Sequence, residues 1–283
     1  MLSLSWYGGK IYLVSELLKL IPRHRIYVEV FGGGAALLLN KRPSEVEVYN
    51  DINRHLVNLF RVLKNPEKFE RFFRHLALTP HAREEHRYAC AHYDDESLSD
   101  EERAALFYTA IYQSINAIPG SSWSRTTWES RRGMALKTSA WLGTVEGLPE
   151  IAERLIRVQI DCDHFSRIIR TYDTPETFFY CDPPYLPDTR VVSSAYQHEM
   201  SADDHIQLLE QLLAVQGKVM LSGYPNELYD RYLKDWERRD FQIHCRSRVG
   251  TPESRGLHHK PVRVERVWMN YDPEVSGVLR LDL

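Results

Sequence analysis

The chain has 283 residues, 43% of them hydrophobic and 27% charged, enough for one large α/β domain or one domain carrying a sizeable insert. Its net charge of −3 excludes a uniformly basic nucleic-acid-binding surface and leaves any such contact to local clusters. No run of about 18 apolar residues occurs, and the first residues lack a basic segment followed by an apolar core, so the cytoplasm is the expected location. The cysteines, Cys90, Cys162, Cys181 and Cys245, show no Cys-x-x-Cys spacing. Reduced, mostly buried thiols are therefore expected, with no metal.

In chain order, residues 11–21 repeat apolar side chains at helical spacing until Pro22 stops them. Residues 26–31 read as a short buried strand broken by Gly32, Gly33 and Gly34, and residues 35–39 begin a helix. Residues 46–49 form a second strand ending at Asn50-Asp51, a strand, glycine turn, helix, strand, acid order typical of a nucleotide-binding βαβ unit. From residue 52 to 158 helical patterns dominate, including 56–63 and 104–115, while 94–102 is acidic and 119–139 irregular. Strand and helix alternation resumes with strands at 158–160 and 178–181, a helix over 203–216 and a strand at 218–222. Residues 241–245 and 264–270 read as a closing antiparallel pair. The expected fold class is α/β, a doubly wound Rossmann-like sheet formed by residues 1–51 and 159–283, with a helical domain inserted at 52–158.

The strongest chemical signal is Asp182-Pro183-Pro184-Tyr185 at a strand end. The prolines fix φ and lack N–H donors, so a backbone carbonyl can point outward beside the Asp182 carboxylate and the Tyr185 ring. Two acceptors beside an aromatic face suit an exocyclic amine, whose delocalised lone pair needs its hydrogens held to become nucleophilic. The plain alternative is a strand-closing turn with Asp182 as a cap. An aspartate at an open strand end is expected to lie outside the core. The glycine turn, running from Glu29 through Phe31 to Gly34, lets a ligand approach the backbone, and Asp51 could accept from ribose hydroxyls or cap the next helix. Trp6-Tyr7-Gly8-Gly9-Lys10 could line an anionic or aromatic ligand, with Lys10 pairing a carboxylate, or be a floppy terminus.

Together with Asp163-His164-Phe165, these motifs in this order resemble the Dam-type family of DNA adenine methyltransferases. The resemblance covers the whole chain. It implies a sheet that binds S-adenosylmethionine at its strand carboxyl ends and a helical target-recognition domain between cofactor and catalytic halves. By resemblance, Trp6, Tyr7, Lys10, Glu29, Phe31, Gly32, Gly34, Asp51, Asp163, Phe165 and Asp182 are cofactor-binding candidates. In that reading Lys10 meets a carboxylate, Asp51 the ribose, and Asp163 and Phe165 the cofactor's adenine. Asp182, Pro183, Pro184 and Tyr185 become the catalytic turn, and Leu221-Ser222-Gly223-Tyr224 matches the late strand beside the target-base pocket. Two departures stand out: Val30 replaces a common proline, and residues 116–125 lack the Asn- and Gly-rich pattern of members that read GATC. The resemblance therefore does not extend to the recognition sequence.

The implied partner is double-stranded DNA, from which the target adenine must be flipped onto a stacking partner such as Tyr185. A cognate restriction endonuclease could accompany a monomeric or weakly dimeric enzyme. Arg125, Arg131, Arg132 and Lys137, among Trp123, Trp128 and Trp141, form one basic cluster. Arg246, Arg248 and Lys260 belong to a second. Either cluster suits DNA contact or a solvated loop. Rival readings stay open. A cytosine-amine methyltransferase would use the same chemistry, though Asp before Pro-Pro-Tyr favours adenine by resemblance. An idle DNA-binding protein would leave Lys10, Asp51 and Asp182 without a role. An oxidoreductase explains only the glycine turn.

Overall fold

Short strands with few polar residues need cover on both faces, and the sequence supplies helices between them. The computed structural model describes residues 2, 4, 6–186, 199–244 and 262–275. Its elements are α1 (Val14–Leu17), β1 (Ile26–Glu29), α2 (Ala36–Asn40), β2 (Val46–Asn50) and then the helices α3 (Arg54–Lys64), α4 (Pro66–Leu78), α5 (Arg83–His92) and α6 (Asp100–Tyr112). A hairpin, β3 (Ser130–Arg131) and β4 (Met134–Ala135), precedes α7 (Leu136–Glu146) and α8 (Leu148–Leu155). The sheet resumes with β5 (Gln159–Asp161), α9 (Phe165–Tyr172), β6 (Thr177–Cys181), α10 (Ala202–Ala214), β7 (Lys218–Gly223), α11 (Glu227–Tyr232), β8 (Glu237–His244) and β9 (Val262–Met269).

The sheet order is β5-β2-β1-β6-β7-β9-β8. The five strands from β5 to β7 are parallel, whereas β9 runs antiparallel to both β7 and β8. From β1 the chain moves outward through β2 to β5, then returns to place β6 on the other side of β1. The order therefore reverses between β1 and β6, and ligands of such sheets sit outside the strand carboxyl ends at that reversal. Alternation along the strands divides the core in two. Tyr27, Tyr49, Phe178 and Tyr180 face α1, α2, α3 and α8. Val28, Val48, Phe179 and Cys181 face α9, α10 and α11. The helical block shares the first of these cores: the rings of Tyr49 and Phe60 stack at 4.1 Å, and Trp6 meets Phe107 at 6.1 Å.

Three sequence expectations change. The helix over 11–21 shrinks to α1 plus one 3₁₀ turn, Leu18–Leu20, because the preceding residues form the loop that carries the buried Lys10 side chain. The irregular stretch at 119–139 contains a hairpin whose two turn residues, Arg132 (φ 57°) and Gly133 (φ 74°), take the left-handed conformation tight hairpins require. The thiols among the described residues are not mostly buried: Cys162, just past the edge strand β5, is exposed and Cys90 half-buried, while Cys181 points into the core as expected, and Cys245 lies outside the described residues. The acidic stretch behaves as it reads, ending in a capping box in which Ser99 and Glu102 satisfy the first N–H groups of α6. No helix among the described residues is long and apolar enough to cross a membrane.

Candidate active site

The turn after β1 is shaped by what glycine lacks. A Cβ on Gly32 would stand 2.1 Å from the Tyr49 ring, and Gly33 has φ +48° with its Cβ position 2.9 Å from Trp6. The turn is held from the neighbouring strand, since the Tyr49 hydroxyl donates to the Gly33 carbonyl (2.9 Å) and Asp51 accepts from the Gly33 N–H (2.8 Å). The other Asp51 oxygen accepts from the Asn53 N–H at 2.8 Å. Asp51 is not the helix cap. That role belongs to Asn53, which accepts from the N–H groups of His55 and Leu56. Asn50, which the sequence reading passed over, clamps the rim by donating to the carbonyls of Val30 and Asp163 and accepting from the Asp163 N–H.

These elements enclose a cavity of about 330 Å³ at the sheet reversal. Every cofactor candidate from Trp6 to Asp182 lines it, and Phe31 and Phe165 meet beside it at 5.7 Å. Its wall is acidic, with Asp51, Asp163, Asp182, Glu199 and Asp204 against the single buried Lys10. Such a wall favours a cationic ligand.

Glu29 lies under the start of α2, where it accepts from the Tyr27 hydroxyl (2.8 Å) and the Leu38 N–H (3.0 Å). Burial outweighs these donors and pushes its carboxyl up to about 8. In the unfolded chain Glu29 ionises in the ordinary carboxylate range. Its preference for the protonated form thus supports folding fully at low pH and is lost as pH rises toward 8. Glu29→Gln cannot ionise. Without ligand, it is expected to melt with wild type at pH 4.5 and roughly 2–6 °C above it at pH 8. Parallel thermal melts at the two pH values check this, and equal melting at both would remove the buried charge as a cost.

Next to Glu29, at the end of β6, Asp182 pairs with Lys10 at 3.2 Å. Its side chain is 16% exposed, not outside the core as a strand-end aspartate was expected to be, because the N-terminal loop folds Lys10 over it. Burial pushes Asp182 up to about 6, against the pull of Lys10. Lys10 itself, though penalised by burial, is held above its ordinary value by Asp182 and Glu265. The Tyr185 hydroxyl donates to Glu265 at 2.6 Å and sits 3.3 Å from Asp182, with Lys10 4.6 Å over its ring and Tyr224 meeting it at 4.6 Å. Tyr185 is thus buried in this state, and the carboxylates that Lys10 meets are the protein's own. Pro183 is buried and Pro184 lines the cavity. Glu265 escaped the sequence reading. Its signal is an acid on a strand face shared with the buried Val267 and Met269.

Of the DNA-contact candidates, Arg125 and Lys137 line a second hollow of about 880 Å³ on the helical block, together with Arg83, Arg87 and Trp123. Arg83 stacks over the Trp123 ring at 5.2 Å. Arg131 is exposed on β3, and Arg132 makes a two-pronged pair with Glu146 at 2.9 Å. Trp141 belongs to the core instead, its indole N–H donating to the Thr79 carbonyl. Arg246, Arg248 and Lys260 lie outside the described residues. The helix α6 links the two hollows. Phe107 touches Trp6, and about 8 Å further along the axis Tyr112 brings the chain to the second hollow.

A doubly wound sheet with a glycine cradle, an acid after its second strand and Asp-Pro-Pro-Tyr at the reversal defines a methyltransferase of the α/β class. The model of the D12 class N6 adenine-specific DNA methyltransferases matches residues 6–249, and the chain belongs to that family. It is 28% identical to the Type II methyltransferase M1.LlaDCHI of Lactococcus lactis subsp. cremoris, over 84% of either chain. It is 26% identical to the Type II methyltransferase M.MjaIII of Methanocaldococcus jannaschii, over 79% of this chain and 84% of that one. With the DNA adenine methylase of Serratia marcescens it shares 25% identity, over 82% of this chain and 85% of that one.

Proposed function

We propose that the cavity binds S-adenosylmethionine and that the Asp182 to Tyr185 turn accepts an adenine flipped from duplex DNA for direct methylation of its exocyclic amine. The observation that carries this reading is the Asp182, Lys10, Tyr185 and Glu265 cluster at the cavity rim. The cavity suits the cofactor chemically. The glycine turn leaves space where a Cβ would collide, Asp51 at the cavity wall would accept from ribose hydroxyls, and the acidic wall matches a sulfonium. Lys10 is taken up by Asp182 and Glu265, so its role in this reading is to hold the catalytic acid rather than the cofactor's carboxylate.

When bound, the cofactor supplies an electrophilic methyl group. Asp182 and a backbone carbonyl of the Pro183-Pro184 turn accept the two amine hydrogens, which favours a nucleophilic nitrogen. The prolines offer no competing N–H. As the nitrogen gains positive charge, the Asp182 carboxylate stabilises it, and the surplus proton leaves along the same hydrogen bond. Cys181, directly before Asp182, is no nucleophile in this reading, since burial pushes its thiol well above its ordinary value. In the division of labour proposed here, residues 1–51 and 159–283 bind cofactor and base while 52–158 read the DNA. The Type II names of two relatives support a place beside a restriction endonuclease.

Incubation with labelled S-adenosylmethionine and duplex DNA, then digestion to nucleosides, should recover the label as N6-methyladenine. Label in methylcytosine would overturn the base assignment. Calorimetry should show Asp51→Ala binding the cofactor about 10- to 100-fold more weakly, since a charged acceptor is lost. Full-strength binding would remove Asp51 from the site.

A further inference from the structure

Because β9 runs antiparallel to the parallel strands, its first residues lie at their carboxyl ends, where the ligand crevice opens. Arg266 pairs with Gly223 at the end of β7, so Glu265 stands one residue further out. Its side chain shares a face with Val267, which packs in the same core as Tyr180. An apolar residue would continue that face. Instead a carboxylate only 4% exposed sits there. One oxygen accepts from Tyr185 at 2.6 Å and lies 3.5 Å from Lys10, and the other accepts from the Tyr12 hydroxyl at 3.0 Å. As a stability device this is poor: Lys10, Asp182 and Glu265 sum to −1 when all are charged, and burying a second acid beside one lysine is costly.

We propose that Glu265 is a positioning residue for methyl transfer, fixing the Tyr185 ring through its hydroxyl and sharing the charge of Lys10 so that Asp182 remains an acceptor for the substrate amine. Without Glu265, Lys10 has Asp182 as its carboxylate partner among the described residues, and the acceptor becomes mainly a counter-ion. Without the 2.6 Å bond, the Tyr185 hydroxyl loses the shorter of its two carboxylate contacts, leaving the ring to Asp182, Lys10 and Tyr224. The proposal rests on Asp182 being the catalytic acceptor.

Glu265→Gln keeps the size and one acceptor but removes the charge. Single-turnover methylation, at saturating S-adenosylmethionine and DNA, is expected to fall about tenfold, the scale of a slightly misplaced reacting group. The KM values for both substrates should barely move. The pH profile separates this role from a structural one. The groups facing Asp182 are Lys10 and Tyr12 from the N-terminal segment, Glu29 at β1, Tyr180 and Cys181 on its own strand, Tyr185, Glu265 and Tyr229. Glu265 raises Asp182, so its neutralisation should move the acidic limb, near pH 6 in wild type, to lower pH. Tyr185→Phe leaves every charge in place. It should slow the reaction, and because the Tyr185 hydrogen bond lowers Asp182 its loss should move the limb the opposite way, to higher pH, while the double variant should be no slower than the slower single one. If Glu265→Gln fails to fold, Tyr185→Phe carries the test. A folded Tyr185→Phe enzyme at full rate overturns the proposal, as does Glu265→Gln with wild-type rate and limb. Loss of rate in Asp182→Asn but not in Glu265→Gln overturns this proposal alone, whereas full activity of Asp182→Asn overturns the reading beneath it.

Discussion

Asp182→Asn should lower single-turnover methylation by about 100- to 1000-fold at saturating S-adenosylmethionine, the cost of losing one preorganised charged contact to the transition state. Asparagine is a better probe than alanine because Asp182 is buried against Lys10 rather than standing at an open strand end. Alanine would open a void beside a buried cation, whereas asparagine keeps an oxygen near Lys10. Glu265 preserves one full carboxylate for that lysine at 3.5 Å, so the melting temperature should stay within roughly 5 °C of wild type. The wild-type rate should rise with pH through about 6, where Asp182 ionises, and that limb should vanish in the variant. Stopped reactions with enzyme in excess over DNA, across pH 5 to 8, read both effects. A folded variant with a near-normal rate would take Asp182 out of the chemistry. A variant that loses its fold in step with its rate would make the residue a structural tie between β6 and the N-terminal loop.

The sheet was legible because its strands announce themselves twice, as short apolar runs and as points where Gly32 or Asp182 interrupts them. The cavity was legible for the same reason, since the motifs that line it, the Trp6 to Lys10 loop apart, fall at strand carboxyl ends, which one topology gathers at one edge. What stayed hidden depends on pairing across long stretches of chain. Glu265 is 80 residues from Tyr185, and nothing local in Val264-Glu265-Arg266 distinguishes an inward carboxylate from a solvated one. Asn50 looked like a strand end. Its clamp needs Asp163, 113 residues later, to return beside it. The shortening of the first helix has the same origin, because Lys10 is drawn into a cluster whose acids lie far along the chain. Arg83 and Arg87 went unnoticed since α5 reads as an ordinary charged helix, and only folding brings it against Trp123.

Arg125→Ala is expected to reduce the preference for the cognate site over single-mismatch sites by about 5- to 150-fold if its guanidinium reads a base edge. Arg125 is exposed and lines the hollow that Arg83, Arg87 and Lys137 make basic, about one short helical run from the residues beside the cofactor cavity. Arg83 is braced over the Trp123 ring, which suits a fixed contact, so Arg83→Ala should behave alike. Arg132 supplies the internal contrast. Its fork already meets Glu146 in an exposed pair, so reaching DNA would mean giving that pair up, and Arg132→Ala should change discrimination by less than about threefold. Methylation of cognate and mismatched duplexes at several salt concentrations distinguishes the outcomes. A selective loss at one base position identifies direct readout. A uniform loss, with the slope of log affinity against log salt reduced by about one, identifies a phosphate contact instead. If neither Arg125→Ala nor Arg83→Ala alters binding or preference, the hollow faces solvent and recognition lies elsewhere on the chain.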